Sequence, residues 1–135
     1  MRTHEIQIRA LYAHTDKAGV VYHANYLAFF EAARTELIRA AGRSYADLER
    51  EGILLTVVEA HCKYHAPAFY DDLLTVTAAV TRLRRTRIDF AYEVRNESGR
   101  LLCEGMTVLG CLDGSARRPC ELPAALRDLF ETDAA

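Results

Sequence analysis

Residues 24–41 read ANYLAFFEAARTELIRAA, and this stretch decides the fold. Tyr26, Phe30, Ala33, Leu37 and Ala40 recur at helical spacing, and Phe29 and Ile38 widen the apolar stripe. Asn25 is the expected N-cap and Gly42 the expected stop. A helix this rich in alanine, with so little polar girth, has to be covered by other elements. Outward from it the period changes to two. Strands are expected over 53–65, 73–83, 86–95 and 101–112, with Glu97-Ser98-Gly99 turning the last hairpin. Upstream, Ile6, Ile8, Ala10 and Tyr12 alternate with Gln7 and Arg9, which predicts a strand over 6–12 followed by a loop over 13–23. A short helix is expected from Tyr45 to Glu51, capped by Ser44 and stopped by Gly52, and an amphipathic one from Pro123 to Thr132. The sheet is the only surface available to bury the long helix. The expected architecture is therefore α+β: an antiparallel sheet of about five strands wrapped around that helix, in a single domain over residues 1–135. Long strands with open edges imply pairing between chains, hence a homodimer, itself pairing into a tetramer.

Composition narrows the function. A net charge of −2 and a pI near 6.2 do not suggest nucleic acid as a partner. The N-terminus turns polar at once and lacks the apolar segment of a signal peptide, and no stretch has the length of a membrane span. A cytoplasmic location is expected. Cys62, Cys103, Cys111 and Cys120 are widely spaced, which favours reduced thiols packed as small hydrophobes. His61 and His65 fall in a strand, where four residues span about 13 Å, too far for one ion. Neither a metal nor an organic cofactor is expected.

The segment from Tyr12 to Tyr26 concentrates polar groups just ahead of the buried helix. A helix N-terminus carries free N–H groups and partial positive charge, which suits a developing oxyanion. Asp16 beside it is a candidate base or nucleophile, and Gly19 allows a tight approach of the chain. On residue type alone, a loop aspartate is equally a cap or turn residue.

The block T-D-K-A-G-V-V-Y-H-A-N-Y over residues 15–26, followed by L-A-F-F-E-A-A-R-T-E, resembles the signature of the 4-hydroxybenzoyl-CoA thioesterase-like hotdog family, and within it the YbgC-type acyl-CoA thioesterases. The resemblance continues through Tyr64-His65-Ala66-Pro67-Ala68 and Tyr70-Asp71-Asp72 to Arg118-Pro119 and Leu122-Pro123. It implies hydrolysis of an acyl-CoA thioester, with Asp16 as catalytic aspartate and His23 supplying a backbone N–H to the carbonyl. Tyr12 matches a tyrosine beside the aspartate. Glu31 matches an acidic position facing the site, or else pairs with Arg34 on the surface. Gly19, Val21, Tyr22 and Asn25 would line the substrate, and Thr56 matches a threonine near the aspartate, or else is an ordinary strand residue. Arg84 and Arg85 match an arginine-rich junction that grips coenzyme A phosphates, or else form a solvated turn. Arg118 matches a basic residue before the Pro-x-x-Leu-Pro element. The chain departs from its relatives at Ala13-His14, where many carry acidic residues; His14 is expected to face solvent, or else partners the substrate or Asp16. An acyl carrier protein or 1,4-dihydroxy-2-naphthoyl-CoA as substrate, or a non-catalytic acyl-CoA-binding module, are the alternatives.

Overall fold

The computed structural model describes residues 1–131. The elements run β1 (Thr3–Arg9), a 3-10 turn (Tyr12–His14), α1 (Asn25–Ala40), α2 (Tyr45–Arg50), β2 (Ile53–Tyr64), β3 (Leu73–Leu83), β4 (Arg87–Arg95), β5 (Leu101–Asp113) and α3 (Ala124–Glu131). All strand pairs are antiparallel, in the order β1-β3-β4-β5-β2, so β1 and β2 are the edges. The expected α+β hotdog arrangement is present.

Alternation explains which face meets the helix. Leu74, Val76, Ala78 and Val80 of β3 are buried, and so are Ile88, Phe90, Tyr92 and Val94 of β4. The register sets Val76 opposite Val94 and the small Ala78 opposite Tyr92. Onto this surface α1 lays Tyr26, Phe29, Phe30, Ala33, Leu37 and Ile38. Phe30 stacks on Tyr92 with ring centroids 4.4 Å apart and planes 7° from parallel. Below them Gly105 of β5 pairs with Tyr92, and a Cβ there would run into the His61 backbone carbonyl of β2 and meet the Phe30 ring at 2.5 Å. Glycine is what lets the ring down onto the sheet. At the other end of the same face, Phe130 of α3 meets Phe90 edge-on at 5.8 Å.

The Tyr92 hydroxyl, buried beneath α1, is satisfied by Thr107 at 2.6 Å and by a donated hydrogen bond from Arg34 at 3.1 Å. A buried phenol without such partners would be costly. Three register shifts, at Val57/Glu59, Val80/Arg82 and Val94/Arg95, interrupt the ladders. Bulges of this kind increase local twist.

Three sequence expectations need correction. β1 begins at Thr3 and ends at Arg9, so Tyr12 leaves the strand and is 74% exposed. Asn25 is not the cap of α1: Ala24 holds that position at φ −70° and ψ −20°, with no side-chain cap, and Asn25 is the first helical residue. One chain covers only one side of α1, since Leu27 is 43% exposed and Ala28 lies open beside it. Apolar girth overstated how much of the helix a single sheet buries. The tail helix spans Ala124–Glu131, and Thr132 lies outside the described residues. By contrast, Ser44 caps α2 by accepting from the Asp47 N–H, and Gly42 and Gly52 end the two helices at φ +111° and +85°.

The Gly105–Phe30 contact yields a stability prediction. Gly105→Ala forces the ring or the strand to move, and overpacking of this sort costs about 1–3 kcal/mol. Urea denaturation of the variant should show a lower midpoint; an unchanged midpoint would mean that both the Phe30 ring and the β2 backbone at His61 have room to shift.

Candidate active site

Between β1 and α1 the chain folds into a small knot. Thr15 bridges antiparallel to Val21, and Val20 to Phe69. Within it the Asp16 N–H donates to the Val20 carbonyl at 2.9 Å, and the Gly19 N–H returns to the Asp16 carbonyl at 2.9 Å. Gly19 adopts φ +83°, the left-handed conformation that such a reversal requires. Asp16 Oδ1 accepts the Ala18 N–H at 2.9 Å, which holds the carboxylate against its own turn while the side chain remains exposed. One oxygen is committed to the loop. The other is free to work.

His14 ties this loop to the helix. Its Nδ1 accepts the Leu11 N–H at 2.9 Å, and its carbonyl accepts both the Tyr22 N–H and the Asn25 side-chain amide at 2.8 Å. The ring lies edge-on to Phe29 at 5.1 Å. The expectation that His14 faces solvent is therefore corrected: it is half-buried, and it holds both ends of the segment that carries Asp16.

The entry turn of α1 uses the N–H groups of Asn25, Tyr26 and Leu27 on the carbonyls of Tyr22, His23 and Ala24. The His23 N–H takes no partner among the described residues, so it is available at the positive end of the helix. Tyr64 donates its hydroxyl hydrogen to the His23 carbonyl at 3.0 Å, which fixes that peptide. Asp16, Val20, Val21, His23, Tyr26, Tyr64, His65, Ala66 and Pro67 together line a cleft of about 360 Å³. Tyr26 is buried in its wall; burial foremost, then the nearby Cys103, pushes its phenol up to about 12. It stays protonated near neutrality.

The structure brings together Asp16, Val21 and His23, with Gly19 shaping the turn, Tyr22 packed 4.5 Å from the His23 ring and Asn25 bracing the loop. Tyr12 lies outside the cleft, stacked on Tyr70 at 4.0 Å. Glu31 lines a separate hollow with Gln7, Ala28 and Thr35, while Arg34 turns toward the sheet instead of reaching it. Thr56 is exposed on β2. Arg84 is tied to Asp89 at 2.5 Å, and Arg85 to Glu121 at 2.9 Å. Arg118, Arg84 and Arg85 share one end of the molecule, because the Leu122 N–H bonds the Arg85 carbonyl and the Asp113 N–H bonds the Arg118 carbonyl, each at 2.9 Å. That end is the far one from Asp16: β3 starts beside the loop at Leu73 and reaches Leu83 roughly 33 Å away at ~3.3 Å per residue. Tyr64 and Tyr26, which the resemblance covers without a role, line the cleft, and His14 braces the loop. The signal for Tyr64 was there in the polar close of β2 at Tyr64-His65 before Pro67.

The chain thus has a five-stranded antiparallel hotdog sheet with the Asp16 loop against the N-terminus of its helix, and comparison with known proteins gives its class. Residues 18–103 match the Thioesterase superfamily, and the chain belongs to it. It is 36% identical over 119 residues to the acyl-CoA thioester hydrolase YbgC of Escherichia coli, covering 88% of this chain and 89% of that protein. It is 33% identical over 124 residues to the acyl-CoA thioesterase YbgC of Haemophilus influenzae, covering 91% and 90%. The crystal structure of a DHNA-CoA thioesterase from Staphylococcus aureus superposes with a TM-score of 0.89 at 37% identity, over 97% of this chain and 88% of that one.

The His14 node can be probed directly. His14→Ala should speed amide exchange at Leu11, whose acceptor is the lost Nδ1, leave Tyr22 bonded to the retained backbone carbonyl, and cost about 1 kcal/mol, one net hydrogen bond. His14→Asn, whose Oδ1 falls near the lost Nδ1, should restore slow exchange at Leu11. Equal exchange in all three proteins would refute the assignment.

Proposed function

We propose that the chain hydrolyses an acyl-CoA thioester to the free acid and coenzyme A, in the cytoplasm, as one hotdog domain acting in a homo-oligomer. The observation that carries this is a carboxylate with one free oxygen, Asp16, sharing a cleft with an unspent helix N-terminal N–H, that of His23. The thioester carbonyl oxygen takes the His23 N–H, where the helix end stabilises the charge that develops. Asp16 attacks the carbonyl carbon, the thiolate leaves, and water then cleaves the mixed anhydride to release the acid; or Asp16 draws a proton from a water that attacks the carbonyl, and the thiolate leaves directly. The neutral Tyr26 and the apolar Val20, Val21 and Pro67 form the dry side of the cleft. Similarity to the DHNA-CoA thioesterase from Staphylococcus aureus favours 1,4-dihydroxy-2-naphthoyl-CoA as a second substrate reading.

Asp16→Asn keeps shape and removes charge. General-base contributions are about a hundred- to ten-thousand-fold, so kcat should fall at least about a hundredfold with KM little changed. Steady-state rates on a panel of acyl-CoA esters measure this; wild-type turnover in a folded variant would remove Asp16 from the chemistry, and no turnover of any ester by the wild-type chain would leave the acyl-CoA-binding module in its place.

The assembly follows from where the arginines lie. Arg85 and Arg118 sit too far from Asp16 to serve the same substrate within one chain. The edge strand β2 is twelve residues long, with Val57 and Val58 each 47% exposed. Antiparallel pairing of two such edges sets the Tyr64 end of one β2 against the Ile53 end of the other. The arginine end of the second copy then flanks the Asp16 cleft of the first, where guanidinium groups can hold phosphates. Arg85→Ala should raise KM for CoA esters by the equivalent of about 1–3 kcal/mol and leave kcat nearly unchanged. Mixing Asp16→Asn chains with Arg85→Ala chains should restore wild-type KM in part of the sites, because a mixed dimer contains one intact pair. No restoration after subunit exchange would place both residues in one chain's site or remove Arg85 from binding.

A further inference from the structure

Two thiols that the proposed chemistry leaves unused meet at the end of the sheet remote from Asp16. After β5 the chain turns at Gly114 and runs back as a strap over residues 114–122, bridging antiparallel where Leu112 faces Pro119. That bridge places Cys120 directly across from Cys111. The Cys120 N–H donates to the Cys111 carbonyl at 3.0 Å, and the two Sγ atoms are 3.4 Å apart. Both cysteines are free; Cys111 is fully buried and Cys120 half-buried. The strap carries Arg118, and Glu121 on it pairs with Arg85.

We propose that Cys111 and Cys120 form a reversible modification site, closed to an intramolecular disulfide by a low-molecular-weight disulfide such as oxidised glutathione. Closure covalently fastens the arginine-bearing strap to β5. A disulfide needs about 2.05 Å between sulfurs, so the gap to close is about 1.3 Å, within reach of side-chain rotation. The order of events follows from exposure. Cys120 is the less buried of the two residues, and burial, with Cys120 alongside, pushes the Cys111 thiol up to about 12. Cys120 as thiolate attacks one sulfur of oxidised glutathione; that S–S bond breaks and a glutathione thiolate leaves, taking up a proton. The mixed disulfide on Cys120 then faces Cys111, which gives its proton to solvent and attacks Cys120 Sγ, expelling the second glutathione as thiol. Two cysteine thiols are oxidised, and one glutathione disulfide is reduced to two thiols.

The other two cysteines provide the internal control. Cys103 is buried and lies beside Cys62 near the Asp16 cleft; burial foremost, then Cys62, pushes its thiol up to about 12. Among the described residues the sulfur pair brought together by strand pairing at 3.4 Å is Cys111–Cys120. The test uses the full wild-type chain, incubated with oxidised glutathione, freed of reagent, alkylated and mapped by peptide mass spectrometry. The expected result is loss of two of the four free thiols, a single peptide linking Cys111 to Cys120, and return of all four with dithiothreitol. Cys111→Ala should stop at a stable glutathione adduct on Cys120, and Cys120→Ser should form no internal link. The wild-type measurement is decisive even if a variant fails to fold. A Cys62–Cys103 link, a link between chains, or a glutathione adduct persisting on wild-type Cys120 would overturn the proposal. The readout is chemical and independent of whether the chain hydrolyses thioesters.

Discussion

The seating of Phe30 on Tyr92 above Gly105 is the contact on which the rest of the structure depends. It sets how closely α1 approaches the sheet and at which point along the strands. A side chain at 105 would lift the helix; a smaller residue at 30 would leave a void over a buried phenol. The polar group inside this contact is accounted for, since the Tyr92 hydroxyl is held by Thr107 and Arg34. With the helix fixed in height and register, its N-terminus is fixed too, and the cleft is built from that end.

What the helix cannot do alone is hold a loop carboxylate beside its first turn. His14 does this from the loop side, with three hydrogen bonds that reach Leu11, Tyr22 and Asn25. Tyr64 does it from the sheet side by bonding the His23 carbonyl. Asp16 therefore sits on an exposed turn whose backbone is over-determined. That combination, a reachable charge on a constrained chain, is what positioning a nucleophile or base demands. The neighbouring phenol of Tyr26 is kept neutral by burial, so it adds no second negative charge beside Asp16.

The two ends of the sheet carry different chemistry. One holds the carboxylate and the helix N-terminus. The other collects Arg84, Arg85 and Arg118 with the strap that Cys120 and Glu121 fasten down. In a single chain these ends are separated by the length of β3. The β2 edge, open in the single chain, is where the proposed pairing would bring unlike ends together.

The sequence by itself determined the elements and most of their ends. Alternation is a property of neighbouring residues, so β3 was legible over Leu73–Leu83, and the Ser44 cap and the glycines at 42, 52 and 99 follow from local φ and hydrogen-bond needs. The Thr15–Tyr26 block pointed to Asp16 and His23, which do share a cleft. Only the tertiary structure decided the rest. Tyr12 continued an alternating pattern yet left the sheet, because the backbone of Ala10 pairs with Asp71 and Asp72 and the chain turns there. Asn25 had the chemistry of a cap and was used on the His14 carbonyl 11 residues back. Arg34 had a carboxylate three residues away and went to Tyr92, 58 residues on. Cys111 and Cys120 were just two spaced cysteines until the strap folded back. In each case the side chain had several partners of suitable chemistry. Long-range packing selected one of them, and periodicity along the chain carries no record of which groups the fold brings face to face.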